Sequence, residues 1–304
     1  MPSVTREPVV AVCTNRSPAA VAGALTALSE QAPPERIVVV TSGLAPAQVA
    51  AHRALAPGRV VEEARPGLSL ARNRALEWAP AGGAIAFVDD DVVVDPGWWD
   101  ALATRWANAG DEVGVIGGPI RPRWATPPPE WVSAPILGTL TLLDLGPDER
   151  VLDPDVTALY GANVSFAVDP LRAAGGFDPA YGHSGARIFF AEEDEAQRAL
   201  ARAGYRVLYA PELGVQHVIP AERLTRRSFA RRRFAYGRAL GMRGGRGAGV
   251  ALRQLSTSGP GALVALASND RRLFMERAVR AAENAGVLTG LPRRRKAAAA
   301  VPRG

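Results

Sequence analysis

The chain has 304 residues, of which 47% are apolar and 22% are charged, and its mean hydropathy is close to zero. This composition is that of an ordinary soluble globular protein, long enough for one large domain with an appendage. The sequence contains no run of about 18 uninterrupted apolar residues and does not begin with a basic segment followed by an apolar one, which argues against a spanning helix and a signal peptide. We therefore expect a cytoplasmic protein whose single cysteine, Cys13, packs in the core and forms no intrachain disulfide.

The net charge of +6 and the isoelectric point near 10.2 reflect a local excess of arginine towards the C-terminus. Nine arginines fall between residues 223 and 246, opposed only by Glu222. A second basic block, Arg293 to Lys296, lies in a tail that we expect to be disordered. Such a basic arm favours contact with phosphates or an anionic membrane over a DNA-reading role, so peripheral contact at the inner membrane face is an open alternative.

The first half of the chain alternates strand and helix patterns. In chain order these predict a strand at Val9 to Cys13, a helix at Ala19 to Gln31, a strand at Ile37 to Val40, a helix at Pro46 to Leu55, a strand from Val60, a helix at Leu70 to Trp78, a strand at Ala84 to Val88 and a helix capped by Asp95 that runs to about Ala109. Strands this apolar are buried on both sides, so the repeated β-α-β order predicts a mostly parallel sheet with helices on both faces. Right-handed crossovers place the loops after these strands at one edge, where we expect a nucleotide-sized crevice.

The second half is less regular. Its predicted elements are a strand at Val113 to Ile116, a Trp- and Pro-rich loop from Arg121 to Pro135, a short helix capped by Asp169, a mobile segment at Gly182 to Gly185, an acid-rich helix from Glu192 to Ala203, a strand at Arg206 to Tyr209, a basic helix at Arg223 to Arg246 and a last helix at Leu263 to Ala285. The long loop is the kind that usually has a function. The last helix either docks on the main domain or mediates self-association, and the sequence does not choose.

Three consecutive carboxylates, Asp89, Asp90 and Asp91, directly follow the predicted strand that ends at Val88. In open α/β sheets, ligands collect at the carboxyl ends of strands. Three adjoining negative charges repel one another, and an oxygen-ligated divalent cation is the commonest way to offset that repulsion. The triplet therefore predicts a metal site, with a solvated acidic turn as the alternative that the triplet alone leaves open.

Several short segments form a recognisable series. They are Gly67 to Leu76, Phe87 to Asp91 with Asp95 to Trp98, Gly117 to Pro119 before Trp124, Tyr160 to Phe166, Gly175 to Asp178, Glu192 to Glu195 with Gly204 and Tyr205, and Val215 to His217. In unbroken order over about residues 8 to 240, this series resembles the family 2 glycosyltransferases of GT-A fold, in particular bacterial polysaccharide-type sugar transferases. The order makes the resemblance far more specific than any one motif.

The resemblance implies an α/β protein with a Rossmann-like GT-A domain at 1–220, followed by a basic helical extension at 221–290 and the basic tail at 291–304. It also implies an inverting transfer of a sugar from a nucleotide diphosphate sugar to an acceptor hydroxyl, assisted by Mg²⁺ or Mn²⁺. The acceptor stays open between a glycan, a lipid-linked sugar and a specialised metabolite. A UDP-sugar is the default donor, although Thr41 stands where many relatives carry an aspartate that binds uracil.

The same resemblance suggests roles for individual residues. Asp91 corresponds to the metal-binding carboxylate of the D-x-D motif. Asp89 faces the ribose or sugar and is also a candidate metal ligand, and Asp90 could share either role. His217 corresponds to a position that completes the metal or diphosphate site in some relatives. The candidates for nucleotide-sugar contacts are Thr14, Asn15, Arg16, Thr41, Arg72, Asp89, Asp90 and Asn163. The catalytic base is Glu193 by spacing from Gly204 or Asp194 by residue type, and both stay open. Trp124 and Trp131 are candidates for stacking on an acceptor sugar.

Two other functional classes deserve comparison. A sugar-nucleotide pyrophosphorylase-like nucleotidyltransferase also has a parallel sheet and metal carboxylates, but it usually opens with a Gly-rich loop where this chain has Thr14 to Ser17. A non-catalytic basic scaffold that binds membrane or nucleic acid would have no reason to keep carboxylates together at one sheet edge. We therefore favour the glycosyltransferase and expect no nucleic-acid partner.

Overall fold

The computed structural model describes residues 6–56, 58–180, 192–244 and 247–299, without side-chain placement at 243 and 292–299. The chain forms two compact units. Of the described residues, the first comprises those of 6–123, 142–180 and 192–218, and the second comprises those of 124–141 and 219–299. The predicted mobile segment at Gly182 to Gly185, together with Arg246, lies outside the described residues.

The first unit alternates strands and helices as the sequence predicts. Its elements are β1 (Pro8–Thr14), α1 (Pro18–Ser29), β2 (Ile37–Ser42), α2 (Pro46–Leu55), β3 (Arg59–Glu63), α3 (Leu68–Trp78), β4 (Ala84–Val88), β5 (Val92–Val94), α4 (Trp98–Ala107), β6 (Val113–Gly117), β7 (Ile120–Trp124), β8 (Arg150–Leu152), β9 (Asn163–Ala167), α5 (Val168–Ala173), α6 (Glu192–Arg202), β10 (Arg206–Tyr209) and β11 (Val215–Ile219), with a short 3₁₀ helix at Pro34–Arg36.

An eight-stranded sheet in the order β3-β2-β1-β4-β9-β6-β10-β8 forms the centre of this unit. The run β3-β2-β1-β4 and the pair β6-β10 are parallel, whereas β8 and β9 run antiparallel to their neighbours. Helices flank the sheet, with α3 packed against β1, β2 and β3 and α6 against β6 and β10. The predicted mostly parallel α/β sheet is therefore confirmed.

The core and the register explain why the sheet presents one functional edge. Phe87, Phe166 and Phe177 are buried and meet edge to face, with ring centroids 5.2 to 6.2 Å apart. Thr14 pairs with Thr41 across β1 and β2, and Ala11 pairs with Phe87 across β1 and β4. Because these strands are parallel and in register, the loops that follow β1, β2 and β4 lie at the same edge.

A second, three-stranded sheet in the order β5-β11-β7 was not predicted. β5 has only three residues, too few for a pattern, and β7 lies within the segment predicted as a Pro-rich loop; it tolerates Pro122 because it is an edge strand that needs no donor there. β5 pairs antiparallel with β11, which sets His217 opposite Val92. This sheet therefore brings a distant histidine next to the aspartates.

Two predicted helix caps are wrong. The cap position of α4 is Gly97 in the left-handed region, with φ 81°, and Asp95 instead accepts a hydrogen bond from Gln216 Nε2 at 2.8 Å. Asp169 lies inside α5 and accepts from the Gly82 N–H at 3.0 Å. Both carboxylates therefore tie separate segments together and leave the helix ends to backbone groups.

The second unit is helical. It contains 3₁₀ helices at Ala134–Leu140 and Ala221–Leu224, and the helices α7 (Arg226–Arg243), α8 (Ala248–Ala267) and α9 (Arg271–Ala299). The Thr225 hydroxyl accepts the Ser228 N–H at 3.2 Å and caps α7. α7 and α9 can approach closely because Gly237 and Gly286 have no side chain. A Cβ atom at either position would collide with the backbone of the other helix. Among the described residues, no helix combines the length and the hydropathy that crossing a bilayer requires.

The C-terminal helices differ from the single helix predicted at Leu263 to Ala285. The helical region is divided into α8 and α9, and not continuous, because Asn269 takes the left-handed conformation, with φ 57°, just after the end of α8. Asp270 then accepts the Leu273 N–H at 2.9 Å and starts α9. α9 continues to Ala299, through most of the tail predicted to be disordered, because the alanine run there is a strong helix former.

Candidate functional site

Asp90 fixes the loop that follows β1. Its Oδ2 accepts the Thr14 hydroxyl at 2.5 Å, and its Oδ1 accepts Arg16 Nη1 at 3.3 Å. The Arg16 N–H in turn donates to Thr14 Oγ1 at 3.0 Å. Burial raises the pKa of Asp90, and the hydrogen bond from Thr14 only partly counters it. Asp90 therefore holds Thr14 and Arg16 in place, with the exposed Asn15 between them.

Asp91 and His217 form a close pair. His217 Nε2 lies 3.2 Å from Asp91 Oδ1, and the histidine is 2% exposed. The backbone joins the same two segments, since the Val218 N–H donates to the Asp91 carbonyl at 2.9 Å. Arg16 Nη1 is 3.8 Å from the other carboxylate oxygen of Asp91. The structure thus brings together the two residues that the sequence assigned to a metal or diphosphate.

Asp89 faces the guanidinium of Arg72, whose Nη2 lies 3.8 Å from Asp89 Oδ1. Burial is the main effect that raises the pKa of Asp89 to about 6, although 36% of the side chain stays accessible from one side. Arg72 and His217 lower this pKa, and the neighbouring charges of Asp91 and Asp90 raise it further. Asp89 is therefore the member of the triplet that is most open to solvent.

Arg72 connects Asp89 to the acidic start of α6. Its Nη1 donates to Glu192 Oε1 at 2.8 Å and to Glu193 Oε2 at 3.4 Å. The rings of Phe87 and Phe177 lie 5.6 Å from the guanidinium carbon. Burial alone would lower the pKa of Arg72, but the charges of Glu192, Glu193 and Asp89 outweigh burial and raise it above its ordinary value. Arg72 is therefore a permanently charged, buried link between two acidic segments.

The two candidates for the catalytic base have different surroundings. Glu193 Oε1 accepts the Gly161 N–H at 3.1 Å while its other oxygen faces Arg72. Asp194 lies 3.8 Å from Arg198, which is itself anchored to Asp155 at 2.7 Å. Both carboxylates are buried. Glu193 is thus the one joined to the aspartate triplet through Arg72.

Other predicted residues are positioned differently. Thr41 is buried at the end of β2 beside Thr14, and its hydroxyl reaches the Val61 carbonyl at 3.5 Å. Asn163 was predicted to bind the nucleotide sugar, but its side chain does not contact the aspartates. It donates to the Leu213 and Pro119 carbonyls at 2.6 and 3.3 Å and accepts from Trp98 Nε1 at 3.3 Å. The amide of Asn163 therefore serves the packing of the sheet.

The acceptor-stacking candidates also differ from expectation. In the second unit, Trp131 is 8% exposed and packs edge to face on Phe229, with ring centroids 5.0 Å apart. It is therefore a core residue of that unit, which removes it as a stacking surface. Trp124 is partly exposed, so its role stays a prediction.

His52 was missed from the sequence. It is buried on α2, and its Nε2 lies 2.9 Å from the Arg16 carbonyl. This contact supports the same loop that Asp90 holds from the other side. A single histidine in an amphipathic helix pattern gives no signal for such a role, because only the tertiary structure brings it to the loop.

The side chains at this site could provide some, but not all, of the ligands of a divalent cation. Within the described ranges, no three His, Cys, Asp or Glu side chains are already gathered to hold a metal ion. Asp91 and His217 would offer an oxygen and a nitrogen ligand, and Asp89 lies two residues before Asp91 in the sequence. Mg²⁺ is usually held by one or two carboxylates together with substrate phosphates and water, so this set suits a cation that binds with a diphosphate.

Comparisons with known proteins bear on the family of the chain. The family model of glycosyl transferase family 2 matches residues 9–172. A glucosyl-dolichyl phosphate glucuronosyltransferase of Haloferax volcanii is 30% identical over 152 residues, which are 50% of this chain and 47% of the relative, so the match spans about half of that protein. The succinoglycan biosynthesis protein ExoM of Rhizobium meliloti is 26% identical over 252 residues, covering 79% of this chain and 76% of the relative.

A solved structure shows the same fold. The mannosyltransferase PcManGT from Pyrobaculum calidifontis, in complex with GDP-Man and Mn²⁺, superposes with a TM-score of 0.55 at 19% identity, covering 99% of this chain and 78% of that one. At this identity the likeness establishes the GT-A fold alone. Because the family match extends over more than half of the sequence, the chain belongs to glycosyl transferase family 2.

Proposed function

We propose that this protein transfers a sugar, with inversion, from a nucleotide diphosphate sugar to an acceptor hydroxyl and that it depends on a divalent cation. The observation that carries the proposal is the position of Arg72, which contacts Asp89 on one side and Glu193 on the other. The buried guanidinium of Arg72 thus links Asp89, a candidate for binding the donor, to Glu193, a candidate for the catalytic base.

On the donor side, Asp91 and His217 would hold Mg²⁺ or Mn²⁺. When bound, the cation would neutralise the charge that develops on the departing diphosphate. Asp89, the most open carboxylate of the triplet, is suited to hydrogen-bond a ribose or sugar hydroxyl. Asp90 positions Arg16, whose half-exposed guanidinium is available to a phosphate. Thr41 is buried and uncharged, so it does not select a base, and a uridine nucleotide is the default donor only through the resemblance to the family.

On the acceptor side, we assign the general base to Glu193. Inversion requires the acceptor oxygen to attack the sugar carbon in line with the leaving diphosphate. The new bond to the acceptor oxygen forms as the bond to the diphosphate breaks, and the hydroxyl proton passes to the carboxylate. The Gly161 N–H and Arg72 fix the orientation of Glu193. Asp194 is the second candidate because it lies one residue away on the same buried helix turn.

The acceptor we favour is a glycan or a lipid-linked sugar. The support comes from the names of the two relatives, one that acts on a glucosyl-dolichyl phosphate and one of succinoglycan biosynthesis. A specialised metabolite is the alternative acceptor.

The test is a panel of UDP-, GDP- and dTDP-sugars incubated with the protein and Mn²⁺ or Mg²⁺, with release of the nucleoside diphosphate as the readout. We expect turnover of one nucleotide class that stops with chelator and in Asp91→Asn. Asp111→Asn is the matched control because Asp111 is 93% exposed in the same unit. Formation of pyrophosphate from a nucleoside triphosphate and a sugar 1-phosphate would instead support the pyrophosphorylase, and no nucleotide binding at all would support the scaffold.

A further inference from the structure

Helix α8 presents a large apolar surface to solvent. The segment 247–269 contains one charged residue, Arg253, and no acidic residue. Large apolar side chains on α8 are each more than half exposed: Val250, Leu252, Leu263, Val264 and Leu266. An exposed helix of a globular protein normally carries charged residues on its outward side, so this surface needs a partner of its own.

The exposed leucines share one side of the helix. At about 100° per residue, Leu252, Leu263 and Leu266 fall within an arc of about 60°. A neighbouring side, centred about 100° around the helix, consists of small residues that are buried, namely Ala251, Ser258, Ala262 and Ala265. The packing of α8 within its own unit therefore uses the small side chains and leaves the leucines outside.

The charges around this surface are positive. Residues 219–304 contain 18 arginines and one lysine against four acidic residues. Arg253 and Arg271 are exposed on and next to α8, and Arg277 lies against α8 at Gly261. A face of leucines accompanied by arginines has the chemistry that binds the headgroup region of an anionic bilayer.

The acidic residues of α9 are few, and each makes a contact within the unit. Glu276 accepts the Ser133 hydroxyl at 2.7 Å, and Glu283 pairs with Arg233 at 2.8 Å. Asp270 accepts the Leu273 N–H at the start of α9. With 18 arginines and one lysine against four acidic residues, residues 219–304 keep a net positive charge.

Several arginines of the basic helix α7, in contrast, contact other residues of their own unit. Arg226 lies over the ring of Phe274, and Arg232 donates to the Thr139 carbonyl at 3.0 Å. Arg233 pairs with Glu283. The sequence suggested a membrane contact through Arg223 to Arg246, but these contacts show that part of that charge serves packing. α8 is the better membrane surface.

We propose that the leucine face of α8 binds the surface of an anionic phospholipid bilayer, lying in the plane of the headgroups. Leucines would enter the boundary between headgroups and acyl chains, and the arginines would contact lipid phosphates. None of these residues belongs to the proposed donor, metal or base set, so binding does not depend on the activity proposed for that set.

The test is co-flotation of the full chain with vesicles of phosphatidylcholine alone or mixed with phosphatidylglycerol. We expect binding to the mixed vesicles only, weakened by salt, and reduced by about tenfold or more in Leu252→Ser/Leu263→Ser/Leu266→Ser. The matched control is Leu55→Ser/Val156→Ser, which removes exposed apolar side chains from the first unit. A charge variant, Arg253→Gln/Arg271→Gln, should weaken binding to the mixed vesicles.

Three outcomes would overturn the proposal. Absence of vesicle binding is one, and equal binding by the triple serine variant is another. The third is a concentration-dependent dimer in sedimentation velocity that the triple variant loses while vesicles are not bound, which would make α8 an interface between copies. Circular dichroism checks that the variants fold, and release of nucleoside diphosphate in solution should be unchanged in the triple variant.

Discussion

Replacing Arg72 with glutamine should destabilise the first unit strongly. Arg72 is 3% exposed and Glu192, its partner at 2.8 Å, is 2% exposed. Glutamine keeps much of the length but removes the charge, so the carboxylate of Glu192 stays buried without this counter-charge and Glu193 loses its contact at 3.4 Å. Removing one partner of a buried ion pair costs about 3–5 kcal/mol, and we expect Arg72→Gln to lower the free energy of unfolding by that amount.

The assay is urea unfolding followed by tryptophan fluorescence, and a double-mutant cycle makes it specific. Adding Glu192→Gln to Arg72→Gln removes the buried carboxylate that has lost its contact with Arg72, so the double variant should regain about 1–3 kcal/mol relative to Arg72→Gln alone. Arg72→Lys should fall between wild type and Arg72→Gln, because one ammonium cannot bridge Asp89 and α6 as the guanidinium does. A loss below about 1 kcal/mol for Arg72→Gln, or strictly additive effects in the cycle, would refute the reasoning.

Three further predictions concern the same region. Gly161→Ala should lower the free energy of unfolding by about 1–3 kcal/mol, because the added methyl group would collide with the guanidinium of Arg72; an unchanged urea midpoint would contradict this. Cys13, whose pKa burial raises to about 12, should resist alkylation at pH 8 in the native protein but not in urea. Because the thiol of the unfolded chain ionises with its ordinary pKa of 9.0 and the folded thiol does not, the contribution of Cys13 to stability should be lost as pH rises from about 9 towards 12; a thiol that reacts at once in the native state would contradict its burial. Glu193→Gln should lower kcat by about 10²–10⁴-fold with little change in the KM for the donor, whereas Asp194→Asn should lower it much less; equal losses, or the reverse order, would move the base to Asp194.

The central strands and the aspartates at their edge could be predicted from sequence because their signals are local. The apolar run of β4 ends at Val88, and the acids follow at once. The bounds of α2, Pro46–Leu55, also follow from its own residues, since proline marks the first turn. Burial in a parallel sheet needs continuous apolar runs, and those are visible in the sequence without tertiary information.

The rest depends on contacts between distant segments. β5 is too short to show a pattern, yet its pairing with β11 is what sets His217 beside Asp91. Asn163 lies in a motif typical of the family, but a motif does not reveal whether an amide faces a ligand or the core. The proposed choice of Glu193 over Asp194 rests on the contact between Glu193 and Arg72. No spacing within α6 could indicate that contact.

The measurement that tests the central claim most directly is calorimetric titration with the nucleoside diphosphate that the donor panel identifies, with and without Mn²⁺. The account predicts that Mn²⁺ strengthens binding to the wild-type protein and to Asp111→Asn, and that this gain disappears in Asp91→Asn. If Asp91→Asn binds the nucleotide with the same metal dependence as the wild type, the pair of Asp91 and His217 is not the cation site and the account is wrong.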